Sequence, residues 1–300
     1  MSWSIKVPAS TSNLGAGFDS VGLALNLYLQ LTVTPADTWK FVAKSDYLQG
    51  IPEGTENLVY KIAKQVGDRF EFPYLPSCRV EMTSNIPLAR GLGSSATATI
   101  AGIELANQIL GLDLTEEEKL QVATDIEGHP DNVAPSLMGG CVIGHYDQEV
   151  NWIKIPVEDV TFLAVIPSYE LKTENARAVL PREFSYERSV HASSVANVSV
   201  AAICMKDWSL LGKMMKKDLF HQPYRKGLIR DYDTIQNFLD EQAYGVFLSG
   251  AGPTMIAIAD PEHVERNIGT WKEKFPQFDW LPLQVENEGV QTTTLGSVST

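Results

Sequence analysis

The chain has 300 residues, 44% of them hydrophobic and 20% charged, which is enough apolar material for a buried core and excludes disordered, collagenous and low-complexity classes. With 24 Lys and Arg against 37 Asp and Glu the net charge is −13, so neither nucleic acid nor an anionic membrane surface is an expected partner, and an anionic ligand would need a local basic pocket. Cys78, Cys141 and Cys204 stand far apart with no C-x-x-C pair, which suggests neither a disulfide framework nor a zinc site. Met1–Lys6 lacks a signal-peptide pattern and no apolar run approaches the ~18 residues of a membrane span, so the expectation is a soluble, cytoplasmic protein.

Alternating runs at Ser4–Pro8, Leu27–Pro35 and Trp39–Lys44 predict half-buried strands. Leu58, Val59, Ile62, Ala63 and Val66 fall at helical spacing within Thr55–Phe70, Arg79–Ile86 returns to strand character, and a long helix opens near Ser94. Thr115 with Glu118 forms a capping box, and the apolar face of Leu120, Ala123 and Ile126 runs toward Gly128, so that helix should end near Glu127. Gly139–Tyr146, Asn151–Pro156 and Val160–Pro167 predict strands, then Ser189–Met205, Ser209–Leu219 and Asp231–Gln242 helices. Val246–Leu248 and Met255–Ala259 are further strands. Asp260-Pro261 opens a helix to about Phe275, and Trp280–Val285 is strand-like. Helices and strands are mixed without strict alternation, which favours an α+β fold over a doubly wound parallel sheet. A fresh βααβαβ pattern after Glu149–Asp159 suggests two domains, 1–155 and 156–300.

The most informative segment is Pro87-Leu-Ala-Arg-Gly-Leu-Gly-Ser-Ser-Ala-Thr97, a turn of small residues between a strand and a helix. Its glycines admit a ligand close to the backbone, its hydroxyls can bond phosphate or metal, and the helix N-terminus offers unpaired N–H groups. No Lys follows the second glycine, so it is not a Walker loop. Gly91-Leu-Gly-Ser-Ser-Ala96 also fits G-x-G-x-x-[GA]. The dinucleotide fingerprint, however, demands a second strand ending in an acid about 20 residues on, and Asp113 is followed by the helix at Thr115. A turn that only lets a helix pack closely on its sheet is the structural alternative. Two further Gly/Ser loops, Pro8–Gly22 and Leu248–Thr254, are individually compatible with hairpin turns; three together can enclose a polyanion with backbone donors.

In order and spacing these three loops resemble the three motifs of the GHMP kinases. The segments Pro8–Asp19, His129–Pro135 and Lys172–Pro181 are similar to the branch of that family that phosphorylates L-homoserine. The resemblance implies two α+β domains, the first like ribosomal protein S5 domain 2 and the second ferredoxin-like, and transfer of the ATP γ-phosphoryl group to the homoserine hydroxyl. It implies ATP bound by Pro87, Leu88, Ala89, Arg90, Gly91, Leu92, Gly93, Ser94, Ser95, Ala96 and Thr97, with its phosphates on Gly91–Ser95 and its base near Asn57. It also implies Mg²⁺ at Glu127 with Ser95 or its neighbour Ser94, and a homodimer. A carboxylate in the last turn of a helix opposes the macrodipole, an independent reason to expect a cation at Glu127.

On the substrate side the resemblance implies Asn13, Asp19, His129, Asn132, Thr173, Arg177 and Arg225, with Asn13, Asp19, Asn132 and Arg177 closest to the chemistry. The homoserine carboxylate suits the bidentate fork of Arg. Siblings such as mevalonate kinase carry an Asp base where this motif has Asn132, and a neutral Asn cannot abstract a proton. The expectation is therefore direct in-line attack without a dedicated base, with Asp131 pointing elsewhere and Asp19 an open partner for the hydroxyl. Another GHMP small-molecule kinase and an inactive nucleotide-binding sensor are the remaining readings. His145, His191, His221 and His263 share no motif and are expected to be structural or solvated.

Overall fold

Two long strands, β1 (Ser2–Asn13) and β2 (Gly17–Pro35), organise the fold of the computed structural model, which describes residues 1–296. Every second residue of β2 from Leu25 to Val33 is buried, as are Ile5 and Val7 on β1, the period of a strand with one covered face. The first sheet continues through β3 (Lys40–Ala43), helix α1 (Leu58–Arg69), β4 (Cys78–Ser84), helices α2 (Ser94–Leu110), α3 (Glu116–Glu127) and α4 (Val133–Met138), and the hairpin β5 (Cys141–Asp147) and β6 (Glu149–Ile155). Beyond it come β7 (Thr161–Pro167), α5 (Thr173–Ala178), α6 (Tyr186–Cys204), α7 (Trp208–Met215), α8 (Gln222–Arg225) and α9 (Tyr232–Asp240). The chain closes with β8 (Gly245–Leu248), β9 (Met255–Ala259), α10 (Pro261–Lys274), β10 (Phe278–Leu283) and β11 (Gln291–Leu295).

The first sheet runs β11-β1-β2-β4-β3, with β5 and β6 branching from β2, and the second runs β10-β7-β9-β8 with every pairing antiparallel. That second order, with helices between β7 and β8 and between β9 and β10, is the split βαβ, ferredoxin-like arrangement. One hydrophobic core lies under the first sheet and reaches Phe162, Ile256 and Ile258 on one face of the second. A smaller core around Trp271 and Trp280 fills the second sheet's other face. The architecture is α+β. Among the described residues no helix is long and apolar enough to cross a membrane.

Three features of the layout go beyond the sequence expectation and bear on the site or the sheets. The Pro8–Gly22 segment is not a loop: β1 runs on to Asn13, and β2 starts again at Gly17 after a turn at Leu14–Ala16. Residues Val7–Asn13 are buried in an unbroken run, so no polar alternation marks the strand. The edge strand β11 pairs with β1, Ser2 opposite Leu295, so a division at 155/156 leaves one strand of the C-terminal part in the first sheet. Finally, α6 begins at Tyr186, where the Ser185 side chain accepts from the Arg188 N–H, a helix start placed by its cap.

Candidate active site

The phosphate-type loop joins β4 to α2, with Gly93 as the N-cap at φ 70° and Gly91 at φ 80°. A Cβ on Gly93 would sit 2.2 Å from Ser10 Oγ, and one on Gly91 would sit 2.3 Å from the Ser249 carbonyl oxygen, so both the backbone angles and the space require glycine. The other two Gly/Ser segments cause this crowding. Ser249 Oγ donates to the Gly91 carbonyl at 2.6 Å and meets Thr11 Oγ1 at 2.7 Å. The Gly250 N–H donates to Ser12 O and the Thr254 N–H to Arg90 O, both at 3.3 Å. The three segments thus enclose one cavity of about 470 Å³. Gly93→Ala adds left-handed strain of about 1–2 kcal/mol to the clash with Ser10, and is expected to weaken ATP binding about tenfold or more in a calorimetric titration; wild-type affinity would remove this loop from the nucleotide site.

Ala89, Gly91, Gly93, Ser94, Ser95 and Ala96 line the cavity. The first-turn amides of α2 have no carbonyl behind them in the helix and face an incoming anion with the favourable end of the dipole. The capped end of α3, closed by Gly128 at φ 84°, brings Glu127 to the same place. Thr99 Oγ1 donates to Glu127 Oε1 at 2.9 Å and Ser95 Oγ to the same oxygen at 3.3 Å. Hydroxyls and one carboxylate are hard oxygen donors of the kind that hold Mg²⁺ together with waters and phosphate oxygens. Thr99 lies outside the loop motif; its signal in the sequence is its spacing, one helical turn beyond Ser95 on the same face.

A second cavity of about 260 Å³ opens from Ser94 and Ser95 and is walled by Leu29, Leu48, Ile51, Met82 and Leu88, an apolar slot suited to a flat base. Asn57 lies in its wall, 3% exposed. Its amide is already committed: Oδ1 accepts from the Val59 N–H at 3.0 Å as the cap of α1, and Nδ2 donates to the Pro52 carbonyl at 2.9 Å. Asn57 therefore shapes the slot. Within the loop itself, Thr97 donates to Ser94 O at 2.9 Å, and Pro87 and Leu92 are buried beneath it. Arg90 faces away from the cavity, donating to the carbonyls of Leu88 (3.0 Å), Pro167 (3.1 Å) and Ser168 (2.7 Å) and pairing with Glu170 at 3.3 Å.

Another part of the same cavity's wall is charged. Arg177 binds Asp19 through both guanidinium nitrogens, at 2.8 and 3.1 Å. Asp19 has φ 54° and Asn13 φ 78°, an unfavourable backbone held in place by its surroundings. Asn13 Oδ1 accepts the Asp19 N–H at 3.1 Å, and its Nδ2 donates to Gly250 O at 3.2 Å. Arg225, 2% exposed, donates to Ala176 O at 3.1 Å and Gly250 O at 2.9 Å. Burial, with the nearby Arg177 charge, lowers its pKa to about 10, so it stays cationic at neutral pH. The Phe18 ring lies 5.7 Å from the Arg177 guanidinium and 5.1 Å from that of Arg225, a π face shared by two cations. Thr173, at the start of α5, completes this wall.

His221, expected to be structural, is fully buried beside Arg225, its Nε2 bonded to Gly15 O at 2.8 Å. Burial holds its pKa down. Asn132 accepts from Ser10 Oγ at 3.2 Å and donates to Ser12 Oγ at 3.0 Å, tying the start of α4 to β1. Asp131 does not point elsewhere: it lines the cavity at 2% exposure and contacts His129 Nδ1. Asp19, His129 and Asp131 offer ligand-type atoms within 4.8 Å of one another, but each carboxylate already has a partner, Arg177 or His129.

Burial alone would lower the His129 pKa, but the Asp131 and Asp19 carboxylates outweigh it and raise it above 6.5. The group's contribution to stability is then full below the unfolded value and lost as pH rises through the higher folded one. The melting-temperature deficit of His129→Asn is accordingly expected to be larger near pH ~5.5 than near pH ~9; a deficit that grows with pH would contradict the pairing.

A glycine-rich loop and a charge-paired wall on one cavity are parts a small-molecule kinase needs, and the family comparison identifies that class. The model described as "GHMP kinases N terminal domain" matches residues 57–140, and that described as "GHMP kinases C terminal" matches 199–277. The chain belongs to the GHMP kinases, and its two sheets are the ribosomal protein S5 domain 2-like and ferredoxin-like halves of that fold. Within them it falls in the homoserine kinase family. It is 48% identical to the homoserine kinase of Bacillus velezensis over 291 residues, covering 96% of this chain and 94% of that one. Identity is also 48% with the homoserine kinase of Halalkalibacterium halodurans over 295 residues, with coverage of 96% and 94%. The crystal structure of the homoserine kinase from Cytophaga hutchinsonii superposes with a TM-score of 0.84 at 28% identity, covering 97% of each chain.

Proposed function

We propose that the protein transfers the γ-phosphoryl group of ATP to the side-chain hydroxyl of L-homoserine, giving O-phospho-L-homoserine and ADP in the route to threonine. The observation that carries this reading is the Asp19–Arg177 pair, lining the same cavity as the Gly91–Ser95 loop. A carboxylate and a guanidinium already joined are complementary to a zwitterion. The substrate ammonium takes Asp19, and its carboxylate takes Arg177 and Arg225 through charge-assisted bonds. The hydroxyl on the remaining arm then points along the cavity to the phosphates, past Asn132. Positioning of this kind is the main demand of phosphoryl transfer, whose transition state is loose and largely dissociative.

Ser95, Thr99 and Glu127 would hold Mg²⁺, which supplies charge neutralisation on the phosphate oxygens when bound. Pγ separates from the β,γ-bridging oxygen, whose electron pair leaves with ADP, as the homoserine oxygen bonds to Pγ. The hydroxyl proton passes to an oxygen of the transferred group and is released to water, which the monoester's second pKa near ~6 allows at neutral pH. Asn132 positions the acceptor and carries no proton. The expected cellular site is the cytoplasm, and the expected assembly is a homodimer. From Ser189 to Cys204, α6 carries no Asp, Glu, Lys or Arg, and it exposes Val190 and Val198. Two copies of a chain of net charge −13 can meet there without like-charge contact. Phosphorus NMR of ATP with L-homoserine and the protein should show one new phosphomonoester as ATP declines; formation of inorganic phosphate alone would reject the reaction.

A further inference from the structure

We infer that Lys172 is a catalytic residue of this site, its ammonium contacting the phosphoryl group as it passes from ATP to the acceptor; the inference rests on the reaction proposed above. A phosphoryl group in transfer spreads negative charge over three oxygens and is stabilised by cations placed in advance. The side-chain cations near the cavity are largely committed. Arg90 is turned onto the carbonyls of Leu88, Pro167 and Ser168. Arg177, paired with Asp19, and Arg225, bonded to two carbonyls, face the substrate carboxylate in the reading above. Lys172 lines the same cavity, is exposed, and enters no ion pair among the described residues.

Its backbone position sets it between the phosphate loop and the substrate wall. The preceding residue, Leu171, donates its N–H to Ala89 O at 3.3 Å, which ties this segment to the phosphate loop. The following residues, from Thr173 to Arg177, belong to α5 and form the substrate wall. Lys172 is the N-cap residue of α5, and its donor-only ammonium, which cannot cap the helix, has no ion-pair partner among the described residues. A flexible, compact ammonium can follow a group that moves between two oxygens, whereas a rigid guanidinium fork fits one fixed anion better. In the step itself Lys172 keeps its protons and donates hydrogen bonds to the equatorial oxygens; the Pγ–O bonds break and form as described above.

The bland alternative is a solvated surface lysine, and the variants K172M and K172R separate the two. K172M is expected to lower kcat about a hundredfold, the scale of one lost transition-state donor, with the KM for L-homoserine changed less than about twofold and K172R restoring part of the rate. A second readout does not depend on the acceptor. In calorimetry with Mg²⁺, the wild-type preference for an unhydrolysable ATP analogue over ADP should shrink about tenfold in K172M, because only the γ-phosphate is lost between them. An unchanged preference with an unchanged kcat would overturn the role of Lys172 while leaving homoserine phosphorylation standing. A wild type that binds the analogue but makes no product from L-homoserine would overturn the reaction, and the nucleotide preference would still decide Lys172.

Discussion

Arg177→Ala is expected to raise the KM for L-homoserine about a hundredfold while moving the KM for ATP less than about threefold. The side chain makes two bonds to Asp19 and faces the cavity. Its deletion removes a charge-assisted contact to the substrate carboxylate worth about 1.5–3 kcal/mol. It also leaves the Asp19 carboxylate without its partner. At 1.4 kcal/mol per tenfold, those losses sum to roughly two orders of magnitude. Arg177→Lys keeps the charge but not the fork, so an intermediate KM is the expected result. Arg177 makes no hydrogen bond to the phosphate loop among the described residues, so ATP affinity should be spared. A homoserine KM within twofold of wild type would remove Arg177 from carboxylate recognition.

Glu127→Gln should leave the fold intact and depress kcat by about a hundredfold or more, with a raised Mg²⁺ requirement. The substitution keeps an oxygen that can accept from Ser95 and Thr99, as Glu127 Oε1 does at 3.3 and 2.9 Å. What disappears is one negative charge beside the α2 N-terminus. A hard divalent cation bound by few protein oxygens depends strongly on each carboxylate, and neutralising charge at the transferred phosphate contributes heavily to catalysis. The half-saturating Mg²⁺ concentration should rise about tenfold. A normal magnesium titration in this variant would move the metal elsewhere.

Features legible in the sequence are mostly local in the chain. The capping box is an example: Thr115 Oγ1 accepts the Glu118 N–H at 3.2 Å and Glu118 Oε2 accepts the Thr115 N–H at 2.9 Å, a motif complete within four residues. Asp260 likewise caps α10, accepting from the His263 N–H. The strand β11 is not legible, because Gln291–Leu295 is polar, lies at a sheet edge, and is paired only with β1 at the far end of the chain. The Pro8–Asn13 part of β1 reads as loop because its small hydroxyl residues are buried on both faces.

At the site, the glycines announce the loop, since their spacing carries a backbone requirement. Side-chain direction is set instead by what folds against each residue. Arg90 follows carbonyls from the end of β7, and Asp131 is turned inward to meet His129. Thr99 reaches Glu127 only because α3 ends beside α2.

The most direct test of the account is ADP release from Mg·ATP by the purified protein, with L-homoserine, mevalonate, galactose and no acceptor assayed side by side. The account predicts release with L-homoserine and background rates with the rest. Release with mevalonate or galactose and none with L-homoserine would contradict it, keeping the phosphate loop while taking the Asp19–Arg177 pocket out of amino-acid recognition.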